Sequence, residues 1–321
     1  MRALRLADHL TLSVDEPDPV PAADEALIRL RLAGICHTDL ELTRGYMGFR
    51  GILGHEFVGE LVHDAGSLKA GTRIVGEINV ACGHCDFCAS GVPSQCRDRR
   101  TLGIDRYPGV FADYLRLPVR NLYAVPEGVP DEAAVFTEPL AAALQATERA
   151  VIHPSDRVIL IGAGKLGLLI AQVLKPYGCD LTVIARQDRP VSLLKKWDIA
   201  YLDARAYDPL SLGRASADIV IDSTGNAEGF ATALDLVRPR GTIVLKSTYA
   251  DLPSANLTRV VVDEITVVGS RCGPFASALR LMSAGLVDLE SLIDARYSLD
   301  NVIDGFAHAA RQGVLKVLIA P

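Results

Sequence analysis

Three side chains that are far apart in the sequence belong to types that bind zinc. Cys36 lies in GICHTDLEL, His55 lies in GHEFVGE, and Glu138 precedes Pro139 at the start of an apolar stretch. A catalytic zinc typically has three protein ligands and an open position for water or substrate. We therefore predict a catalytic zinc site at Cys36, His55 and Glu138. Taken singly, each residue also fits a structural role, as a buried thiol, a core histidine or a carboxylate at a helix start.

The neighbours of these ligands are of types that assist such a site. The metal would act as a Lewis acid on an alcohol or carbonyl oxygen, which favours hydride transfer. Thr38 carries a hydroxyl that can pass a proton, so we count it among the catalytic residues. Asp39 can accept a hydrogen bond from a ligand histidine and fix its tautomer. Glu56 adjoins His55, and we expect it either to bind the metal or to support its ligands.

A second metal site is indicated by four cysteines in ACGHCDFCASGVPSQC, with the spacing C-x2-C-x2-C-x7-C. The cysteines are Cys82, Cys85, Cys88 and Cys96. Two-residue gaps let a tight loop wrap one ion, and the longer arm supplies the fourth corner of a closed tetrahedral site. We predict a structural zinc here, with an iron–sulfur cluster as the alternative.

A glycine-rich turn follows an apolar run that ends at Ile161. The turn GAGKLG comprises Gly162, Gly164 and Gly167 with Lys165 and Leu166 between the last two glycines. A strand before this motif and a helix after it are the context of a dinucleotide-binding loop, whose helix N-terminus favours a pyrophosphate. We expect these five residues to bind the cofactor. An ordinary strand-to-helix turn is the alternative.

The choice between NAD and NADP depends on the tip of the next strand, LTVIARQD. An acidic residue there would bind the ribose 2′-hydroxyl of NAD. The strand ends instead in Ala185 and Arg186, and Asp188 lies further along the loop. An arginine can pair with a 2′-phosphate. We therefore expect Arg186 to contact the cofactor and NADP to be favoured over NAD, unless Arg186 points to solvent.

The elements around these motifs change character near residue 126. Before it, short alternating segments such as 24–33 are separated by glycines and predict a mostly β, barrel-like domain. After it, a helix at 131–150 is followed by strands at 157–161, 181–185, 219–222, 242–246 and 265–269 with helical stretches between them. This alternation predicts a doubly wound parallel α/β sheet. The tail adds a helix at 300–311 and a strand at 314–319.

Composition excludes several classes of function. The chain has 321 residues, a net charge of −6 and scattered basic residues, so we expect no nucleic-acid surface. Apolar runs fall short of the ~20 residues of a membrane span, and the start lacks a signal-peptide core. Seven cysteines, four of them clustered, fit metal binding in a reducing compartment. We therefore expect a cytoplasmic protein that acts on a small molecule and binds neither nucleic acid nor membrane.

The motifs GICHTD, GHEFVGE, ACGHCDFC with a fourth cysteine, TEPLAAAL and VILIGAGKLG resemble, in order, those of zinc-dependent alcohol dehydrogenases in the medium-chain dehydrogenase/reductase superfamily. The resemblance implies a GroES-like catalytic domain at 1–125 and 288–321, with a Rossmann domain at 126–287. It implies zinc at both sites, a proton relay through Thr38, and contact between His37 and the cofactor pyrophosphate. It also implies a homodimer or homotetramer.

Glu138 resembles the third zinc ligand of polyol, sugar and threonine dehydrogenases, where many simple alcohol dehydrogenases have cysteine. We therefore expect an NAD(P)-dependent enzyme that transfers hydride to or from a secondary alcohol, polyol or sugar-like substrate. One departure from the family is Glu41, which stands where many relatives carry the histidine that ends the relay. The alternatives are a non-catalytic nucleotide-binding protein that keeps the structural zinc, and a zinc-free enzyme like the quinone reductases.

Overall fold

The computed structural model describes residues 1–248 and 256–321. The strands of these residues are β1 (Ala3–Leu6), β2 (Leu10–Ser13), β3 (Glu25–Gly34), β4 (Gly51–Ile52), β5 (Glu56–Leu61), β6 (Arg73–Gly76), β7 (Asn79–Val80), β8 (Arg100–Leu102), β9 (Arg106–Tyr107), β10 (Tyr114–Pro118), β11 (Leu122–Ala124), β12 (Arg157–Ile161), β13 (Asp180–Ala185), β14 (Ala200–Asp203), β15 (Ala217–Asp222), β16 (Val237–Leu245), β17 (Thr266–Gly269), β18 (Ile293–Ser298) and β19 (Lys316–Ala320). The helices are α1 (His37–Thr43), α2 (Asp86–Ala89), α3 (Asp131–Ala134), α4 (Thr137–Arg149), α5 (Lys165–Leu174), α6 (Asp188–Lys196), α7 (Ala227–Leu236), α8 (Leu257–Val262), α9 (Phe275–Ser283) and α10 (Val302–Ala309).

The chain forms two compact units, as the change of pattern predicts. The first contains Met1–Glu138, Phe275–Gly285 and Leu289–Pro321, and the second contains Pro139–Pro274 and Leu286–Asp288. The predicted domain boundaries at 126 and 288 therefore differ from the limits of these units. α3 and α9 belong to the first unit, although both lie within residues 126–287, which the sequence analysis assigned to the Rossmann domain.

The first unit is built on a seven-stranded sheet. Its strand order is β11-β6-β5-β3-β19-β18, and β10 also pairs with β3. In β3, side chains alternate between the core and the surface, and Ile28, Leu30 and Leu32 are buried. This alternation is the period-2 pattern from which the strand was predicted. β19, from the tail, pairs antiparallel with the end of β3, so that Leu318 lies opposite Gly34 and Ile319 lies opposite Ala33.

The second unit is the doubly wound sheet that the sequence predicts. All its strands run parallel, in the order β14-β13-β12-β15-β16-β17. The strand order reverses between β12 and β15, and ligands of such sheets bind outside the carboxyl ends of the strands at this reversal. β14 was not predicted, because the four residues AYLD lack both an apolar run and flanking turn residues.

The helix predicted at 131–150 is two helices. α3 ends at Ala134, and α4 begins at Thr137. Pro139 is the third residue of α4, where its missing N–H has no intrahelical partner to lose. A continuous helix would require that N–H, so the chain restarts its helix just before the proline. Among the residues described, no helix is long and apolar enough to cross a membrane.

Candidate metal centres and cofactor loop

Cys36 lies directly after the central strand of the first unit. β3 ends at Gly34, and α1 begins at His37. The Cys36 backbone N–H donates to Oδ2 of Asp39 over 2.8 Å, and the Asp39 side chain is fully buried. This hydrogen bond fixes the backbone at Cys36, while the thiol stays half-buried. Thr38 lies in the first turn of α1 and is also half-buried.

His55 is buried and lies directly before the strand β5. Gly54 before it has φ +100°, and a Cβ at that position would lie 2.7 Å from the Phe111 ring, so the position suits glycine. His55 Nδ1 lies 3.2 Å from Asp39 Oδ1, although the two atoms are not aligned as in a hydrogen bond. Burial lowers the pKa of His55, but the charges of Asp39 and Cys36 outweigh burial and hold that pKa well above its ordinary value.

Glu56, the first residue of β5, forms a buried ion pair with Lys316, the first residue of β19. The two side chains are 1% and 6% exposed. Burial lowers the pKa of Lys316, but the charges of Glu56, Cys36 and Glu138 offset that effect and raise the pKa above its usual value. The Lys316 ammonium also lies 5.3 Å from the centre of the Phe136 ring. The ammonium therefore neutralises a carboxylate beside the predicted zinc ligands.

Cys36, His55 and Glu56 bring one ligand atom each within 4.8 Å of one another. A sulfur, a nitrogen and an oxygen at this separation match the donor set and size of a zinc site. Among the described residues, Glu138 does not belong to this compact group. Its charge nevertheless acts on Lys316, which binds Glu56, so Glu138 lies in the same neighbourhood. Glu138 as the third ligand stays a prediction.

Glu41 contacts two basic side chains of its own segment, which the sequence analysis did not predict. Its carboxylate forms an ion pair with Arg44 at 2.6 Å and lies 3.5 Å from Nε2 of His37. The three residues form one face of α1 at helical spacings of three and four. The His37 side chain is 67% exposed, so it is accessible to a ligand as a cofactor contact must be.

The four-cysteine loop has the geometry of one metal ion held by four thiolates. Sulfur atoms are separated by 3.5 Å for Cys85 and Cys88, 3.9 Å for Cys85 and Cys96, and 4.0 Å for Cys82 and Cys88. Tetrahedral zinc with Zn–S bonds of about 2.3 Å requires sulfurs about 3.8 Å apart. Disulfide sulfurs would be about 2 Å apart, so the cysteines are not disulfide-bonded. A cluster with one cysteine on each iron would separate the sulfurs more widely.

The glycine loop joins β12 to α5 as predicted. Gly162 has φ +97°, and a Cβ at Gly167 would lie 2.0 Å from the Gly162 carbonyl oxygen. The first glycine thus permits the turn, and the third permits close packing of the helix. A Cβ at Gly164 would meet no atom within 4 Å, so the surface in front of this backbone is open for a phosphate. Lys165 and Leu166 are the first two residues of α5.

Arg186 follows the last residue of β13, and its side chain is 65% exposed. Its guanidinium lies 3.8 Å from Glu228. The next acid in the loop, Asp188, is paired with Arg205 at 2.6 Å. Arg205 also binds Asp203 at the tip of the neighbouring strand β14, and this hydrogen-bonded contact lowers the pKa of Asp203 to about 2. Asp188 and Asp203, the carboxylates nearest to the tips of β13 and β14, are therefore both engaged by Arg205.

The sequence analysis did not identify two residues that take part in these sites, Arg205 and Lys316. Arg205 was missed because β14 was not predicted. Lys316 was missed because its partner is 260 positions away. A signal was present, since Lys316 interrupts the apolar run VLKVLIA, and a lysine inside a buried strand requires a partner for its charge.

Comparisons with known proteins agree with this arrangement. Residues 22–127 match the family model described as alcohol dehydrogenase GroES-like domain, and residues 166–284 match that described as zinc-binding dehydrogenase. A sorbitol dehydrogenase from Halalkalibacterium halodurans is 30% identical, over 100% of this chain and 99% of that protein.

Two solved structures are also similar over the whole chain. A protein from Sinorhizobium meliloti, described as a zinc-binding dehydrogenase and bound to NADP, has a TM-score of 0.91 at 28% identity, covering 100% of this chain and 99% of that one. An alcohol dehydrogenase from Escherichia coli complexed with NADH has a TM-score of 0.91 at 26% identity, with the same coverage.

The chain belongs to the zinc-type alcohol dehydrogenases of the medium-chain dehydrogenase/reductase superfamily. Within that family it is an NAD(P)-dependent oxidoreductase that acts on alcohols, and its units are the GroES-like and Rossmann-like domains. The predictions of family, fold class and activity are confirmed. The non-catalytic and zinc-free alternatives are therefore set aside.

Proposed function

We propose that this enzyme interconverts a polyol or sugar-like secondary alcohol and its ketone, with zinc held by Cys36, His55 and Glu138. The observation that carries the proposal is the compact group of Cys36, His55 and Glu56, with Asp39 behind the histidine. Lys316 neutralises Glu56 within a buried ion pair. A carboxylate engaged in this way is a poorer metal ligand, which favours Glu138 as the third ligand.

The residues around the metal have separable tasks in this proposal. Zinc would supply Lewis-acid activation of the substrate oxygen. Asp39 Oδ1, which lies 3.2 Å from Nδ1 of His55, places a negative charge beside that nitrogen and would favour a proton there, with the other ring nitrogen available to a metal. Thr38, two residues from Cys36, moves the hydroxyl proton of the alcohol away as hydride leaves its carbon. A nicotinamide cofactor held at the glycine loop of Gly162, Gly164 and Gly167 would supply the hydride acceptor.

A polyol or sugar-like substrate is favoured by two observations. The similar protein from Halalkalibacterium halodurans is a sorbitol dehydrogenase. A glutamate at position 138, where cysteine is common in simple alcohol dehydrogenases, also resembles the polyol and threonine enzymes. The relative and the residue at position 138 together favour a substrate with a polar chain over a simple alcohol.

NADP is the cofactor that the proposal favours. Arg186 takes the place of the acid that would bind a ribose 2′-hydroxyl, and Asp188 is engaged by Arg205. Replacing Arg186 with alanine removes one charge-assisted contact with the 2′-phosphate, so we expect the Kd of NADPH to rise by about tenfold or more while that of NADH changes little. Equal effects on both cofactors would contradict the assignment.

The test of the main proposal is a panel of alcohols, polyols and aldoses assayed with NAD and with NADP, with zinc measured on the same sample. Cys36→Ser and Glu138→Gln should abolish turnover and leave cofactor binding, measured by NADPH fluorescence, largely intact. Glu56→Gln is the comparison variant, because it removes the carboxylate that could compete with Glu138 for the metal and leaves Glu138 in place. Full activity in a metal-free Cys36→Ser/Glu138→Gln double variant would overturn the mechanism.

We also propose that the enzyme is a cytoplasmic homodimer or a homotetramer built from such dimers. β17 is one of the two edge strands of the Rossmann sheet and is largely exposed. Val261, Val262 and Val267 are exposed beside it or on it. An open edge strand with apolar neighbours is a surface that a second copy can cover by strand pairing. Light scattering of Val261→Glu against the unmodified protein tests this proposal.

A further inference from the structure

A lysine occupies an unusual place at the carboxyl edge of the Rossmann sheet. β16 contains the apolar sequence TIVL, and Lys246 follows it directly. The side chain is 8% exposed. Lysine is rarely buried unless its ammonium group is hydrogen-bonded or paired, because removing the charge from water is costly. Lys246 belongs neither to the glycine loop nor to the metal sites, so its burial requires another explanation.

The Lys246 side chain connects the ends of two neighbouring strands. Its ammonium donates to Ser270 Oγ over 3.2 Å and to the Arg271 carbonyl oxygen over 2.9 Å. Ser270 follows Gly269, the last residue of β17, and its N–H donates to Leu245 at the end of β16. The lysine therefore fixes the segment that leaves β17 and places a positive charge at the carboxyl edge of the sheet.

The position of Lys246 in the sheet indicates which part of the cofactor it faces. A dinucleotide lies across the reversal of strand order, with one mononucleotide on each half of the sheet. The glycine loop follows β12, and the ribose-recognising tip that ends in Arg186 belongs to β13. These strands hold the adenosine half, so β15, β16 and β17 hold the nicotinamide half. Lys246 and Arg271 therefore lie on the nicotinamide side.

The two redox forms of the cofactor differ in charge on that side. The nicotinamide ring is positively charged when oxidised and neutral when reduced. We propose that Lys246 is a positioning residue of the nicotinamide half, whose buried ammonium makes the enzyme bind the reduced cofactor in preference to the oxidised one. The inference rests on the nicotinamide dependence of the enzyme and goes beyond the choice between NAD and NADP.

The test is the ratio of the Kd of NADP⁺ to the Kd of NADPH, measured by calorimetry on the zinc-loaded full chain. Lys246→Met removes the charge, and Lys246→Gln removes it while keeping a hydrogen-bond donor. In both variants we expect the ratio to fall by about tenfold, through tighter binding of NADP⁺, because the positive charge that repels the oxidised ring is removed. Lys246→Arg keeps the charge and should keep the ratio.

Two controls separate this role from a structural one. The ligand 2′-phospho-ADP-ribose lacks the nicotinamide, so its Kd should be the same in all variants. Lys69→Met removes an exposed lysine from the other unit and should leave the ratio unchanged. A ratio that stays constant in Lys246→Met and Lys246→Gln overturns the inference, as does an equal loss of affinity for all three ligands. Failure of the unmodified protein to bind any of them would instead contradict the cofactor assignment.

Discussion

Asp39 Oδ1 lies 3.2 Å from His55 Nδ1, and both side chains are almost completely buried. The second carboxylate oxygen of Asp39 accepts a hydrogen bond from the backbone N–H of Cys36. One carboxylate thus contacts the ring of one predicted zinc ligand and the backbone of another. The geometry around the metal therefore depends on a residue that does not itself bind the metal.

Replacing Asp39 with asparagine should weaken zinc binding at the catalytic site. The amide keeps the shape of the side chain but loses the negative charge beside the His55 ring, so we expect zinc affinity to fall by about 10- to 100-fold. A chelator titration followed by metal analysis measures this change, and zinc at the four-cysteine loop should be retained. Asp64→Asn, at an exposed position, is the matched control. Unchanged affinity in Asp39→Asn would show that the contact is incidental.

The buried pair of Glu56 and Lys316 leads to a prediction about stability. Lys316→Met leaves the Glu56 carboxylate buried without its cation, so the free energy of unfolding should fall by about 3 to 5 kcal/mol. Glu56→Gln in the same chain removes the stranded charge and should recover a large part of that loss. Urea unfolding of the two single variants and the double variant gives the coupling energy. Additive losses would mean that the pair does not act as a unit.

The four-cysteine loop should bind its metal independently of the catalytic residues. Cys82→Ser removes one of four thiolates, so we expect zinc content to fall by about one ion per chain. The melting temperature should fall as well, because binding of a structural zinc contributes to folding. Cys179→Ser is the control, since that cysteine lies in the other unit. An unchanged zinc content in Cys82→Ser would contradict the structural-zinc assignment.

Local patterns predicted the fold better than they predicted the contacts within the site. The alternation before Cys36 and the apolar run before Gly162 specify β3 and β12 with the turns that follow, because those signals reside in adjacent residues. The Glu56–Lys316 pair depends on β19 returning to β3, and the contact of Arg205 with Asp188 depends on a strand that was missed. Such contacts follow from topology, which a single apolar run does not encode.

The position of Glu25 at the start of β3 makes stability depend on pH. Its carboxylate accepts hydrogen bonds from Tyr107, from the Ala22 N–H and from Arg116. Burial raises the pKa of Glu25, but these three donors together outweigh burial and lower that pKa below its ordinary value. A group whose pKa is lowered by folding stabilises the folded state above its unfolded pKa, which is about 4.3 for glutamate. That stabilisation is lost as the pH falls through the folded pKa.

Glu25→Gln should therefore destabilise the protein at pH 7 by about 1 to 2 kcal/mol, because hydrogen bonds to a charged acceptor are replaced by weaker ones. The difference between the variant and the unmodified protein should shrink as the pH is lowered from about 5 to about 3, since the unmodified carboxylate becomes protonated there. Urea unfolding at several pH values measures it. Glu127→Gln, at an exposed position, should show no such trend. A difference that stays constant down to pH 3 would mean that the contacts of Glu25 do not depend on its charge.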